Sequence, residues 1–360
     1  MSITLDGTNG ITTPDLTSAD AITAGGVTYP TQGSFGHRNK IINGDMRIDQ
    51  RNAGASVPWV GSNYAVDRYH SYNSVATGST GQQSTDVPSG AGFTNSIKYT
   101  VGTGGTSGTN GVAYFRQVIE GNNVADFQFG TSAAKTITLS FWAKSSITGT
   151  YGIGIRNTTR SYVAQYTISS ANTWEQKTIT VAGDTAGTWA TDNTEGISIQ
   201  FDMGLGTNFE TTAGSWQTGA YMRASGNVRL SETSGATFYI TGVQLEEGSV
   251  ATPFEHRPYG YELALCQRYF QRNTRNAISP SSIGTNALVR VQWSFGIKMR
   301  ASPTITYNDG NGNSGKIYRN GANRTGSFTP DVNGFTMQST DTPANGFDDL
   351  FFNFDANAEL

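Results

Sequence analysis

The chain holds few of the groups that catalysis calls for. Its three histidines, His37, His70 and His256, lie far apart in sequence, and no serine stands in a G-x-S-x-G elbow. His256 sits among Glu255, Arg257 and Pro258, where hydrogen bonding between elements is the commoner role. His70 shares an alternating stretch, Tyr64 to Ser74, with Tyr64, Val66 and Arg68, which reads as one strand and makes it a packed or rim residue. Carboxylate pairs for glycoside cleavage can be nominated in Glu246–Glu247, in Asp348–Asp349, or in Asp45 with Asp49. Adjacent residues of an extended strand point to opposite faces, so neither doublet would flank one bond. Asp309, Asn311 and Asn313 match the first three ligand positions of an EF-hand loop. Ser314 then replaces the required glycine and Asn320 the bidentate acid, so a hairpin turn is the plainer reading. The sequence names no cofactor and no metal ligands, while a structural calcium ion elsewhere remains compatible with it.

The aromatic supply points to a different chemistry. Proteins hold sugars by stacking flat rings on their CH faces and hydrogen-bonding the hydroxyls with Asn, Asp, Gln and Arg. Trp59, Tyr64, Trp142, Trp189 and Trp216 stand near expected loops or on the less apolar strand faces, and are the candidate glycan-binding residues. A tryptophan in a β-sandwich is more often core or interface, so the group carries this reading better than any member.

Those residues must be positioned by strands. Glycine supplies 44 of 360 residues and charged residues only 14%, against a usual glycine share of about 7%. Glycine gives turns their positive φ angles, and an aromatic content of 11% argues against disorder. Strand candidates are Ser96–Val101, Val112–Glu120, Thr136–Lys144, Tyr151–Arg156, Tyr162–Ser169, Trp174–Val181, Gly196–Met203 and Thr237–Leu245. With no helical runs between them, they predict a mainly β fold: an antiparallel jelly-roll sandwich. In Thr136–Lys144, Ile137, Leu139, Phe141 and Ala143 form the core face, and Trp142 stands on the polar face.

Three domains follow. Residues 1–36 have too little to bury and read as an extended N-terminal docking arm. Residues 37–257 form the sandwich, and Asn43–Gly44 within them is hairpin-prone. Residues 258–360 form one short helix, Tyr259–Arg272, and a smaller C-terminal β domain with strands at Leu288–Met299, Thr304–Tyr307, Gly315–Tyr318, Gly334–Gln338 and Leu350–Phe354. Glu255, His256 and Arg257 would fasten the joint between the last two. Cys266 falls within the apolar helix pattern as a core residue, and as the lone cysteine it excludes an intrachain disulfide. A net charge of −3 gives no footprint for nucleic acid, and no run of about 18 apolar residues predicts membrane insertion.

Three phrases carry a resemblance. Asn39–Arg51 reads N-x-I-x-N-G-D-x-x-x-x-Q-R, Val243–Arg257 reads V-Q-L-E-x-G-x-x-A-T-P-F-E-x-R, and Glu262–Phe270 reads E-x-x-x-C-x-R-Y-F. Together with Phe295–Thr306, they resemble a module of bacteriophage tail-fibre and related virion proteins that contains a carbohydrate-binding-module-like jelly roll. The resemblance covers residues 37–306. It implies a virion structural component, a homotrimer, assembled in the host cytoplasm, with residues 1–36 attached to other phage tail proteins and the outer part adsorbed to host surface polysaccharide. No binding residue transfers with it. The competing readings are a non-adhesive virion protein (head decoration, collar or tail shaft) and, more remotely, a polysaccharide depolymerase; no enzymatic role is expected.

Overall fold

A computed structural model of the chain describes residues 21–24, 27–30, 37–278, 289–319, 322–339 and 350–360. Of the N-terminal arm it describes one hairpin, Ala21–Ala24 paired antiparallel with Val27–Pro30. The remainder of the expected arm lies outside the described residues.

The alternating segments pair into two antiparallel sheets. The first has seven strands, in spatial order Trp216–Thr218, Arg160–Ile168, Gly149–Arg156, Glu195–Asp202, Ala113–Glu120, Tyr69–Asn73 and Gly61–Val66. The second has six, in order Glu175–Val181, Ile137–Ser145, Thr237–Glu247, Ser96–Thr100, Thr80–Ser84 and Val57–Pro58. Their inner faces meet in one core, where Phe115 stacks on Phe201 at 4.6 Å and on Tyr99 at 5.0 Å, with Phe141, Phe238 and Tyr151 around them. Ile137, Leu139, Phe141 and Ala143 are all fully buried, as their spacing predicts.

Two local expectations are corrected. Tyr64–Ser74 is not one strand: Val66 pairs directly with Tyr69, and the chain reverses through Asp67 and Arg68. Arg68 takes φ +72°, an unusual conformation for a bulky residue, and its buried side chain donates to the Val118 carbonyl at 2.6 Å. Asn43–Gly44 makes no β-hairpin either. Asn43 adopts φ +59°, and its side chain spans Ile48 N (2.9 Å), Ile48 O (2.8 Å) and Asp67 O (3.0 Å). A Cβ on Gly44 would overlap the Val243 carbonyl oxygen, so only glycine fits there.

The helix covers Tyr259–Gln267, shorter than its sequence pattern, because Phe270–Ile278 pairs as a strand with Leu350–Asn357. On this helix Tyr261 is exposed, while Cys266, and Tyr269 just beyond it, share a small core with Ile42 and Ile48 of the sandwich. Val289–Ser294 ends earlier than the alternation suggested. Phe295 and Met299 continue inward by bonding their backbone N–H groups to Asn333 and Val332. The C-terminal strands form a five-stranded and a three-stranded sheet around Phe335, Phe352 and Phe354.

Glu255 and Arg257 bind the sandwich's own opening segment. Glu255 accepts from the backbone of His37 (2.6 Å) and Asn39 (2.9 Å). Buried Arg257 donates to the carbonyls of Ile41 (3.0 Å) and Asn39 and pairs with Glu262 of the helix at 3.4 Å. His256 departs from the expected joint: it is exposed and packs on Phe93 and Phe254 at the sandwich rim. The C-terminal domain is docked by other charges. Arg51 pairs with Asp67 (3.3 Å) and Glu359 (3.1 Å), Arg68 pairs with Glu359, and Arg268 grips Glu120 with two bonds of 2.9 and 2.8 Å.

Burial pushes the Asp67 carboxyl up to about 6, with Glu359 adding to it and Arg51 opposing. The folded state thus holds this proton more tightly than the unfolded chain does. The resulting stabilisation is complete below about pH 4 and is lost as the pH rises through 6. Asp67→Asn removes the titration. Relative to wild type, the variant should therefore gain up to about 3 kcal/mol between pH 4 and pH 7. Denaturant unfolding at both pH values reads this directly, and a constant gap between the two proteins would refute it.

Candidate functional site

The five candidate glycan-binding residues fall in four places. Trp59 is fully buried against Tyr99 at 4.8 Å, so the structure corrects its assignment: it is core. Trp142 is half-buried on the outer face of the six-stranded sheet, between Gln176 and Thr241. Near it Trp174 meets Tyr239 at 6.1 Å, and Lys144 lies 4.2 Å over the Tyr239 ring. Asp86 accepts from Trp174 (3.0 Å) and pairs with Lys144, so these polar groups already satisfy one another.

Trp189 and Trp216 come together at one end of the sandwich, 5.4 Å apart, with Phe129 edge-on to both. Their indole N–H groups donate to the carbonyls of Ala186 (3.2 Å) and Ala182 (2.7 Å). Trp189 helps line an apolar cavity of about 280 Å³ with Val124, Phe127, Phe129 and Ile197.

Tyr64 lies on the outer face of the seven-stranded sheet, and strand register places a larger group there. Residues paired across neighbouring strands stand side by side on one face. One transverse row reads Tyr64, His70, Arg116, Gln200, Gly154. A second reads Ser62, Tyr72, Tyr114, Asp202, and a third Val118, Ser198, Arg156. Tyr72 and Tyr114 stack at 6.2 Å with only 23° between their planes, and His70 packs on both Tyr64 (5.3 Å) and Tyr114 (5.9 Å). All of these rings are half-buried, which leaves part of each open.

Glycines shape this face. Gly154 presents no side chain because the segment after Tyr221 crosses above it: a Cβ would lie 3.0 Å from Met222 Cα. That crossing buries Val163, an apolar residue on an otherwise polar face, and raises a wall on one side. Behind it Arg223 is fully buried, 3.7 Å from Asp202, whose carboxyl burial pushes up to about 6 against the opposing Arg223 charge. The opposite side is the edge strand Gly61–Val66, and Arg300 of the C-terminal domain bonds Asn193 at the third-row end (2.8 and 3.2 Å).

Between these limits several buried polar atoms have no hydrogen-bond partner: His70 Nδ1, Arg116 Nε, Glu195 Oε1, Ser198 Oγ and Gln200 Oε1. Such atoms each cost about 1–3 kcal/mol when left unpaired. Neighbouring half-open flat rings beside the half-buried side chains of His70 and Arg116 are what a saccharide ligand requires, and we take this face as the candidate site. The sequence reading reached Tyr64 alone. Tyr72 and Tyr114 were legible as alternate residues of Tyr69–Asn73 and Ala113–Glu120, but only once the Asp67–Arg68 reversal brings these strands side by side.

The catalytic and metal nominations resolve differently. Glu246 is buried and accepts from Thr252 N (2.9 Å), Thr252 Oγ1 (2.6 Å) and Gln244 (2.9 Å), while Glu247 pairs with Lys135 at 2.8 Å. Asp45 is buried and pairs with Arg47, and Asp49 caps the turn at Asn52 (2.9 Å) and Gly54 (2.8 Å). Asp348–Asp349 lies outside the described residues. Asp309 spends its carboxylate on Asn311 N (2.9 Å), Asn313 N (3.0 Å) and Asn313 Nδ2 (2.6 Å), an ordinary turn. Among the described residues no group of three His, Cys, Asp or Glu side chains is arranged to hold a metal ion. None of their helices is long and apolar enough to cross a membrane.

No protein-family model and no curated protein matches the chain. Solved structures do. The enzymatically active domain of bacteriophage CBA120 tailspike protein 4 aligns at 16% identity and TM-score 0.31, covering 58% of this chain and 21% of that one. The alignment therefore spans about a fifth of the tailspike chain. A family 11 carbohydrate-binding module from Clostridium thermocellum, in complex with a β-1,3-1,4-mixed-linked tetrasaccharide, aligns at 16% identity and TM-score 0.28 over 56% of this chain and 99% of its own. The N-terminal cellulose-binding domain of Cellulomonas fimi β-1,4-glucanase C aligns at 14% identity and TM-score 0.25, covering 54% and 99%. At these identities and TM-scores the likeness adds nothing to the site, and the sandwich is described above from its own strand pairing.

Burial, with the nearby Arg116 charge adding to it, pulls the His70 imidazole down to about 4. Its other nitrogen, Nε2, is 2.7 Å from Ser62 Oγ. His70 should therefore stay neutral through pH 5–8, and NMR titration of its ring should show an inflection near pH 4. An inflection near 6.5, the ordinary histidine value, would mean that the ring is not packed between Tyr64 and Tyr114.

Proposed function

We propose that the chain is a non-enzymatic adhesin of a bacteriophage tail that binds bacterial surface glycan on the outer face of its seven-stranded sheet. The observation that carries the binding role is the juxtaposition of half-open Tyr64, Tyr72 and Tyr114 rings with the half-buried side chains of His70 and Arg116. Flat rings cover the CH faces of a pyranose, and fixed donors and acceptors replace the water that its hydroxyls lose. Placement in a phage tail rests on the sequence phrases Asn39–Arg51, Val243–Arg257 and Glu262–Phe270. Residues 1–36 would attach to the tail and the sandwich would face the host.

Tyr114 is central to the face, in contact with both Tyr72 and His70. Tyr114→Ala should weaken binding to host envelope polysaccharide at least tenfold on a glycan array or by calorimetry, with the melting curve little changed. Incubation with the same polysaccharide should release no new reducing ends. Unaltered affinity in the folded variant would remove this face from the proposal.

The proposal includes a homotrimer, because an arm with little to bury orders by pairing with copies of itself. Sedimentation of the full chain should give a trimer mass, and a stable monomer would overturn that part.

A further inference from the structure

Two half-buried arginines on the candidate face lack the carboxylate partners that five other arginines have. Arg51, Arg68, Arg223, Arg257 and Arg268 are each ion-paired with a carboxylate. Arg116 and Arg156 are half-buried, and among the described residues neither forms an ion pair. Arg156 donates only to its neighbour's carbonyl, Asn157 O at 3.0 Å, and to the Met222 sulfur at 3.6 Å. Arg116 Nε has no partner, and its guanidinium lies 5.8 Å from the Tyr114 ring centroid. Register separates the two residues by the single strand Glu195–Asp202 and by two residues along it, hence by about 12 Å of sheet. Glu195 is the acidic group near them. It acts on the charge of Arg156 without contacting either guanidinium closely enough to neutralise it.

A neutral oligosaccharide would leave two partly desolvated cations without a carboxylate at ion-pair distance. A carboxylate offers a guanidinium two parallel N–H···O bonds, the strongest ordinary pairing available to it. We propose that the ligand of this face is an acidic polysaccharide whose sugar carboxylates are held by Arg116 and Arg156 while its rings lie against Tyr72 and Tyr114. The proposal rests on the glycan-binding reading and goes beyond it by naming the charge of the ligand. A phosphodiester-linked glycan shares the oxyanion chemistry, and the experiment separates the two.

The test uses the full chain and calorimetry with polygalacturonate, alginate and hyaluronate, each beside its carboxyl-reduced form, plus a teichoic-acid-type phosphodiester polymer. At least one carboxylated polymer should bind tenfold or more tighter than its reduced form, and more weakly as salt is raised. The Arg116→Gln/Arg156→Gln double variant should lose that preference. If that variant does not fold, the Arg116→Lys/Arg156→Lys variant, which keeps charge but not the bidentate fork, should lose at least threefold. Equal binding of acidic and reduced forms, or of neutral polymers alone, overturns the charge assignment and leaves glycan binding standing. Preference for the phosphodiester polymer overturns the carboxylate assignment. Undiminished acidic binding by a folded double or lysine variant places the contact elsewhere and overturns the site. Binding of no polymer of any kind overturns the glycan-binding reading itself.

Discussion

The molecule depends on one unusual constraint: its opening segment, residues 37–54, belongs to no strand or helix yet is largely buried between Asn39 and Ile48. Buried backbone groups must be paired, and here side chains from distant parts of the chain pair them. Glu255 takes the N–H groups of His37 and Asn39, Gln117 bonds both N–H and C=O of Ile42 (2.8 and 2.7 Å), and Glu262 takes the N–H of Asn43. Arg257 takes the carbonyls of Asn39 and Ile41. Asn39 returns the bonding, with its Oδ1 accepting from Leu245 N at 3.0 Å. The first residues of the sandwich are thereby locked to its last strand and to the helix. These contacts account for the polar residues in the Asn39–Arg51 and Val243–Arg257 phrases without any catalytic role.

The second domain inherits its position from that lock. Arg51, at the end of the opening segment, pairs with Asp67 and Glu359 and is sandwiched between Tyr64 (4.3 Å) and Phe270 (3.7 Å). Tyr64 is an edge residue of the candidate face, and Phe270 begins the first C-terminal strand. One guanidinium therefore touches the site, the interface and the buried Asp67 at once. Arg68, stacked 3.4 Å from the Tyr269 ring, repeats the arrangement one turn of the hairpin away. Displacement of the C-terminal domain would remove Glu359 from both cations and loosen the support of Tyr64 and His70.

Alternation made the strands legible, because residues spaced by two must share a face wherever one face is buried. It located the core of Ile137–Ser145 correctly and placed Trp142 outside. It failed where tertiary contacts reassigned a residue. Tyr64–Ser74 alternates in sequence, but an irregularity between Tyr64 and Val66 turns Val66 into the core beside Ala65, and the chain then reverses at Arg68. Tyr269 and Phe270 look helical by spacing, yet pairing with Leu350–Asn357 takes Phe270 into a strand. Trp59 sits beside an expected loop but fills the core gap against Tyr99. Glu255 and Arg257, expected at the joint between domains, chiefly bind the sandwich's opening segment, and the surroundings of His256 depend on Phe93, more than 150 residues away.

The candidate face differs from the tryptophan platform on the other sheet in how its polar groups are paired. The tryptophan platform on the other sheet balances Lys144 with Asp86, and the opening segment satisfies its buried amides one by one. On the seven-stranded face, by contrast, His70, Arg116, Ser198 and Gln200 are neighbours in two adjacent rows and all carry unpaired atoms. At about 1–3 kcal/mol each, their cost approaches the net stability of a typical domain, about 5–15 kcal/mol. Apolar residues at Ser198 and Gln200 would fit a buried sheet face with no such cost. Ser198 and Gln200 are fully buried, so a partner bringing hydroxyls and negative charge would meet this face at the half-buried rings of Tyr72 and Tyr114 and the side chain of Arg116.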